Sequence, residues 1–453
     1  MTLEEEYRQT RKKSKEKHEK ACGLMPGGIE HDARYMKPFP FFVERAEGAR
    51  KWDIDGNELI DLWSGHGAFV LGHNPPQVLE AVEKQLKRGF HYSACNEYQL
   101  ELAELIVKML PSAEVVRYMQ SGTEANMLAI RLARAYTGKN KVIKFKGHFH
   151  GYWNEGVHGV RPPYDAPMSI GVPPESLSNI LLADHNDTGQ LIRLLEENDD
   201  VACVIIDPTG HAFVLPFDPE FLKEIRRITR QKGIVLIFDE VVSSFRYGPH
   251  GVQGIIGVTP DVTTLAKIIG GGLPLSAVAG KRKIMECMAM SGDPKRDRYN
   301  RVISQGTHAG NPVVCAAGLA YLRLVADGKP QASANEKGAT LRKAMNEVIR
   351  KHDIPGCAYG QFSVARAFLL HNCPILEECD RQTCRCPDPA IPDTGSPPVV
   401  RRSLHLAMLI NGVDYSAGLG TMYLNAGITG EDIEKIVFAL DTSLTRLKAE
   451  KVL

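Results

Sequence analysis

Two short runs in the middle of the chain are apolar without interruption: Val201-Ala202-Cys203-Val204-Ile205-Ile206 and Gly233-Ile234-Val235-Leu236-Ile237-Phe238. Runs of this length without alternation predict strands buried on both faces of a mainly parallel sheet. Between them, the stretch from Pro219 to Gly233 places apolar residues at Phe221, Leu222, Ile225 and Ile228, the period of a helix with one buried face. Such alternation of strand and helix runs over roughly residues 111–325 and predicts an α/β, doubly wound domain.

Outside that region the pattern changes. Residues 4–22 predict a charged helical arm with a solvated polar face, its other face left for a partner subunit to cover. Met25-Pro26-Gly27-Gly28 ends it. Phe41 to Asn57 predicts a hairpin turning at Asp55-Gly56-Asn57, followed by a short strand over 59–62. After residue 330 come a helix (335–351), short strands, an insertion rich in Pro, Asp and Cys at about 371–400, and a last helix (430–448). The insertion is expected to be a mobile surface loop. The predicted division is 1–75 as an N-terminal arm and small-domain segment, 76–325 as the large domain, and 326–453 as the rest of a smaller α+β domain.

Composition narrows the partners. The 453 residues carry a formal charge of +1, with 43% hydrophobic and 24% charged side chains, as in ordinary globular proteins. A balance this neutral supports neither nucleic-acid nor membrane-surface binding. No apolar run approaches the ~20 residues of a membrane span. The charged N-terminal stretch lacks the apolar core of a secretory signal, and the expected compartment is the cytoplasm. Of 10 cysteines, Cys22, Cys95, Cys203, Cys287, Cys315 and Cys357 are scattered and read as small buried hydrophobes or reduced thiols. Cys373, Cys379, Cys384 and Cys386 crowd the insertion without the paired C-x-x-C spacing of zinc sites, and no metal site is predicted.

Four stretches carry candidate chemistry. In Thr264-Leu265-Ala266-Lys267-Ile268-Ile269-Gly270-Gly271-Gly272, an apolar approach ends on one lysine. Loss of solvation favours its neutral amine, the form that attacks an aldehyde. Ser121-Gly122-Thr123 stands between a predicted strand and a helix over 124–136; it is either an anion site at the helix N-terminus or a plain cap. Asp239 ends a buried strand, where open α/β sheets bind ligands, and either pairs with a cationic ring nitrogen or caps a helix after the strand. His148-Phe149-His150-Gly151-Tyr152-Trp153 is either an aromatic wall for a flat cofactor or a core cluster. A further glycine-rich turn, Gln305-Gly306-Thr307, leads into a helix.

A phosphate cradle, a ring-binding acid, a stacking aromatic and a reactive lysine together describe a pyridoxal phosphate site. The order and wording of these stretches resemble the class-III aminotransferases of fold type I, most tightly from Asp239-Glu240-Val241-Val242 through Lys267 to Pro274, and more broadly over about 25–325. The resemblance implies a large domain with a seven-stranded, mainly parallel sheet, and a homodimer with active sites at the subunit interface. It implies that Lys267 forms the Schiff base and moves the proton, and that Asp239 holds the pyridine nitrogen. Val241 and Phe149 would pack on opposite ring faces. Ser121, Gly122 and Thr123 would bind the phosphate, and Thr307 would reach the neighbouring subunit's cofactor. Pro26-Gly27-Gly28 followed by Arg34 is similar to the branch of glutamate-1-semialdehyde aminomutases, where this arginine grips a substrate carboxylate; otherwise Arg34 is a surface ion pair. Two departures set the chain apart from that branch: Gly420 where a functional glutamate is expected, and Arg161-Pro162-Pro163-Tyr164-Asp165 in place of a small-residue gating loop; separately, Asp207-Pro208 stands where many relatives of the family have Glu-Pro. Ala358-Tyr359-Gly360-Gln361-Phe362-Ser363 and Pro392-Asp393-Thr394-Gly395-Ser396 resemble relatives acting on D-arylglycines; others act on β-amino acids. The expected activity is transfer of an amino group from a carboxylate-bearing donor to a 2-oxo acid, with the aminomutase and racemase reactions as alternatives.

Overall fold

The computed structural model describes residues 1–210, 215–370, 373–380, 383–386, 395–418 and 420–453. They form two compact units, one of residues 1–75 with 330–453 and one of residues 76–329.

The first unit begins with helices Leu3–Thr10 and Lys12–Cys22. The inner face of this arm is covered by its own chain rather than left for a partner. Tyr7 is fully buried and its hydroxyl donates to the Phe39 carbonyl at 3.0 Å, while Arg11 pairs with Asp53 at 3.4 Å. Strands β1 (Val43–Glu47), β2 (Arg50–Asp53) and β3 (Glu58–Asp61) then form an antiparallel meander. The predicted single hairpin is thus two turns. Asp55-Gly56 closes the second; the first is Gly48-Ala49, where Gly48 has φ +55°.

The second unit is built on β4 (Val115–Met119), β5 (Lys141–Phe145), β6 (Ile180–Ala183), β7 (Val201–Ile206), β8 (Val235–Asp239), β9 (Val262–Leu265) and β10 (Ser276–Gly280). Their order is β4-β10-β9-β8-β7-β5-β6. All neighbours are parallel except β10, which is antiparallel to both β4 and β9. Every residue of β7 and β8 is buried, as continuous apolar runs require in a sheet covered on both faces. Helix Pro219–Lys232 buries Phe221, Leu222, Ile225 and Ile228, starts at the Asp218 cap with proline in its first turn, and stops at Gly233 with φ +66°. The strands carry their residues to one sheet edge, so Asp239 at the end of β8 and Lys267 just beyond β9 lie next to each other in the topology.

The remainder of the first unit has helix Lys329–Lys351, β11 (Gly356–Tyr359), β12 (Val364–Leu369), helix Pro398–Ile410, β13 (Val413–Asp414), β14 (Thr421–Tyr423) and helix Gly430–Ala449. β13 joins the meander beside β3, parallel to it. The predicted insertion at 371–400 falls partly outside the described residues, as do Pro392, Asp393 and Thr394, and Leu419 in the loop before β14. Helix Pro398–Ile410 already begins within the predicted insertion. Cys203, Cys315 and Cys357 are buried, but Cys22 and Cys95 are exposed, so not all scattered cysteines are core residues. Among the described residues no helix is long and apolar enough to cross a membrane.

Candidate active site

Helix Gly122–Thr137 begins directly after β4. Ser121 Oγ accepts from Glu124 N at 3.2 Å, and the Glu124 carboxylate accepts from the Gln120 and Ser121 N–H groups, both at 2.9 Å. This is a capping box, so Ser121 does cap its own helix. The N–H groups of Gly122 and Thr123 have no acceptor among the described residues and stand at the positive end of the helix dipole. Gly122 cannot be larger. A Cβ there would lie 2.8 Å from Val241 Cγ1. That contact places Val241, two residues past β8, against the floor of the cradle.

Asp239 is 4% exposed, and both its oxygens are engaged. Oδ2 accepts from Asn126 Nδ2 at 2.8 Å and lies 2.7 Å from His150 Nδ1; Oδ1 accepts from Val241 N at 3.0 Å. Asn126 in turn donates to the His150 carbonyl at 2.9 Å, and its own oxygen accepts from Thr264 Oγ1 at 2.6 Å. Burial alone would raise the Asp239 pKa. The His150 hydrogen bond and charge, with those of Val241 N and the Asn126 amide, outweigh it and hold the group below the ordinary carboxylate range. His150 Nε2 is buried without a hydrogen-bond partner among the described residues. Sequence reasoning named Phe149 in this stretch and missed His150, Asn126 and Thr264. Phe149 is 43% exposed, as a ring that must receive a ligand face would be.

Lys267 follows β9 through the extended Ala266 and opens a single 3₁₀ turn, Lys267–Gly270. Its φ is +51°, the left-handed region that side chains other than glycine enter at a cost of about 1–2 kcal/mol. Strain of this kind persists where the surroundings over-determine it. No hydrogen bond or ion pair holds the ammonium among the described residues. Burial lowers its pKa, against the opposing pull of the Asp239 and Asp207 carboxylates. Asp207, at the end of β7, is itself 5% exposed and pushed up to about 8, first by burial and then by the neighbouring Asp239 charge. Gly271 also sits where a Cβ would meet the Ala317 carbonyl at 2.8 Å, which explains one glycine of the run.

Thr307 is exposed, on a turn that lines a surface hollow of about 710 Å³ with Gln99, Leu100 and Arg117. Arg34 belongs to the first unit. It ends the short turn Asp32–Arg34, pairs with Glu30, and lines a pocket of about 500 Å³ with Tyr35, Phe41, Phe42, Trp63 and His66. Gly420, before β14, has φ +67°, so a side chain there would be strained whatever the space around it.

Unpartnered N–H groups beside a glycine that admits no Cβ, a carboxylate held ionised and a lysine with no partner all fit pyridoxal phosphate. The sequence pattern of the class-III aminotransferases matches residues 32–363, and the chain belongs to that family. It is 43% identical over 333 residues to the glutamate-1-semialdehyde 2,1-aminomutase of Ignicoccus hospitalis, covering 72% of this chain and 77% of that protein. Its fold matches an omega-transaminase from Sphaerobacter thermophilus with a TM-score of 0.85 and 31% identity, over 96% of this chain and 98% of the other. It also matches a β-phenylalanine aminotransferase from Variovorax paradoxus, with a TM-score of 0.85 and 28% identity, over 100% of this chain and 98% of the other. The protein is therefore a pyridoxal phosphate-dependent enzyme of fold type I that works on small-molecule amino donors and acceptors.

Proposed function

We propose that this enzyme takes an amino group from a carboxylate-bearing amine and passes it to a separate 2-oxo acid, with Lys267 as its catalytic residue. The observation that carries Lys267 is its amine: drawn out of water, without a partner among the described residues, and with its pKa lowered by burial against the opposing Asp239 and Asp207 charges. When bound, pyridoxal phosphate supplies an aldehyde to that amine and an electron-withdrawing ring to the substrate's amino-bearing carbon. Lys267 Nζ would hold the cofactor and would take and return the proton at that carbon. Asp239, held ionised by His150, Asn126 and the Val241 N–H, would hold the ring nitrogen in its protonated form. Gly122 and Thr123 N–H groups, with Ser121 at the cap, would receive the phosphate. Val241 and Phe149 would enclose the ring, and Arg34 would grip the substrate carboxylate as a bidentate fork. Thr307, exposed on its turn, would serve the cofactor of a second subunit in a homodimer. Mixing Lys267→Ala with a Thr307 variant should then restore part of the activity that each lacks alone; a fully active monomer in sedimentation would remove the dimer from the reading.

The second reading is the aminomutase reaction, in which the amino group migrates within one molecule. Kinship by name favours it, since the relative at 43% identity carries that activity in its name. Gly420 and the Pro162-Pro163-Tyr164 segment favour intermolecular transfer: a substrate held by one carboxylate contact, without a second polar grip, is released after the first half-reaction. Likeness to an omega-transaminase and to a β-phenylalanine aminotransferase supports the same side, but at lower identity than the likeness to aminomutases, which is also near full length and weighs toward the second reading. The deciding experiment follows the cofactor's absorbance while amino donors, including D-arylglycines, β-amino acids and glutamate 1-semialdehyde, are offered with and without 2-oxoglutarate or pyruvate. Net transfer to the added oxo acid, with Arg34→Ala raising KM roughly tenfold or more, supports the proposal. Conversion of glutamate 1-semialdehyde to 5-aminolevulinate with no transfer to any oxo acid assigns the aminomutase reaction instead.

A further inference from the structure

Lys144, in the interior of the second unit, has no place in the chemistry above. It lies on β5, is 2% exposed, and has Leu182 of β6 and Ile205 of β7 as its sheet neighbours. Both are apolar, so neither offers it a charge. Its ammonium instead donates to two backbone carbonyls, Gly156 O at 2.9 Å and His158 O at 2.6 Å. Both carbonyls belong to the segment after β5 that carries Phe149 and His150.

That segment has other anchors besides this pair: His150 on Asp239 and Asn126, Asp207 N on His148 Nδ1 at 3.2 Å, and Arg134 on Glu155 at 2.8 Å. Gly147 N donates to Gly159 O at 2.8 Å, closing its base. Gly151 comes so near the phosphate cradle that a Cβ would lie 2.7 Å from Thr123 Oγ1, and a Cβ on Gly156 would lie 2.5 Å from the Gly151 carbonyl. A shift at Gly156 is therefore passed to Gly151, and from there to His150, the partner of Asp239. A buried ammonium on two carbonyls is a strong tether while it is charged, because hydrogen bonds from a charged donor are stronger than those between neutral groups.

We propose that Lys144 is a positioning residue: by tying the Gly156 and His158 carbonyls to β5, it sets the stance of Phe149 and His150 toward Asp239. The idea rests on the cofactor reading for its purpose, but the tether itself is independent of any cofactor. Burial pushes the Lys144 pKa down to about 7, with the Asp239 charge opposing that shift, so the tether loses its charge and weakens as pH rises through neutrality, the neutral amine keeping two N–H donors. The other groups that act on it or on its acceptors are His150 and His158, whose pKa values burial lowers, and Asp165, which acts on His158. Asp207 reaches the site through Asp239 and titrates at about 8.

Hydrogen–deuterium exchange on the full-length protein, as isolated and after removal of the cofactor, tests this directly. Lys144→Met should raise exchange in peptides spanning 147–160 by about tenfold or more and leave β7 and β8 unchanged. It should also weaken pyridoxal phosphate binding to the stripped protein, while Lys144→Arg, which keeps the charge and the donors, stays nearer the wild type. In the wild-type protein, protection of 147–160 corrected for intrinsic rates should fall between pH 6 and 9, a step that Asp207→Asn retains. Unchanged exchange in 147–160, an equal rise in β7 and β8, or no pH step in the wild type would overturn the proposal. The wild-type pH series stands even if Lys144→Met does not fold. Loss of the tether with Lys267 still bearing the cofactor would separate failure here from failure of the catalytic reading.

Discussion

Each unit of the molecule draws a lysine out of water, and the neighbours decide what becomes of it. In the first unit, Lys51 is 9% exposed and lies between Asp61, at 3.1 Å, and Asp414. His73 Nε2 sits 2.7 Å from Asp61, and His405 Nε2 3.0 Å from Asp414. Burial would lower the Lys51 pKa, but two carboxylates outweigh it and the net shift is upward. In the second unit, Lys267 has carboxylates only at a distance, and burial wins. Lys144 stands between them: two carbonyls but no carboxylate in contact, and a value near 7. The same side chain is a locked structural cation, an amine with a lowered pKa or a poised tether, according to what its ammonium touches.

Four measurements bear on this contrast. The largest effect is on activity: Lys267→Ala should lower kcat by about 10⁴-fold or more, since it removes both the attaching amine and the proton-moving group. Single-turnover absorbance with an amino donor reads this, and an Ala variant that turns over at a wild-type rate would undo the contrast at its active end.

The next is on stability. Lys51→Met leaves Asp61 and Asp414 buried without the cation between them, with only His73 and His405 beside them, and should cost about 3–5 kcal/mol in urea unfolding. Lys267→Met in the stripped protein removes no partnered charge and should cost far less. Equal losses for the two variants would show that pairing does not distinguish them.

The third is on pH. The folded pKa of Lys51 lies above that of an unfolded lysine, so its contribution is complete below about pH 10 and is lost only as pH rises through the folded value. The values of Asp61 and Asp414 are depressed, so their contribution is present above about pH 4 and is lost as pH falls. Lys267 has the opposite sign to Lys51. Its folded value lies below the unfolded one, the unfolded chain binds the extra proton, and stability rises with pH in that window. From about pH 7 to 10 the stripped wild-type protein should therefore gain stability relative to stripped Lys267→Met, by urea midpoint.

The smallest effect is at the cradle. Ser121→Ala removes the cap of helix Gly122–Thr137 and should cost about 1 kcal/mol in the stripped protein. Binding of pyridoxal phosphate should weaken only modestly, because the Gly122 and Thr123 N–H groups remain.

Whatever the chemistry writes within a few residues was legible in the sequence. Continuous apolar runs located β7 and the core of β8, and the lysine followed by glycines located the turn Lys267–Gly270. The polar network around Asp239 was not legible, because Asn126 is 113 residues from Asp239 and His150 is 89. Only the sheet brings them together. Lys144 was hidden for a related reason: a lysine inside an otherwise apolar strand gives no hint of the two carbonyls it meets 12 and 14 residues on. The first turn of the meander was missed because Gly48-Ala49 lacks the Asp or Asn that marks Asp55-Gly56. The arm's inner face was left to a partner subunit because nothing local in Tyr7 or Arg11 points to Phe39 and Asp53.

The central claim is that Lys267, and not another buried lysine, bears the cofactor. Borohydride reduction of the enzyme as purified, followed by proteolysis and mass spectrometry, tests it in one measurement. The account predicts the reduced pyridoxyl group on the peptide containing Lys267 and on no other. Finding it on Lys144 or on any other lysine, with Lys267 unmodified, would contradict it.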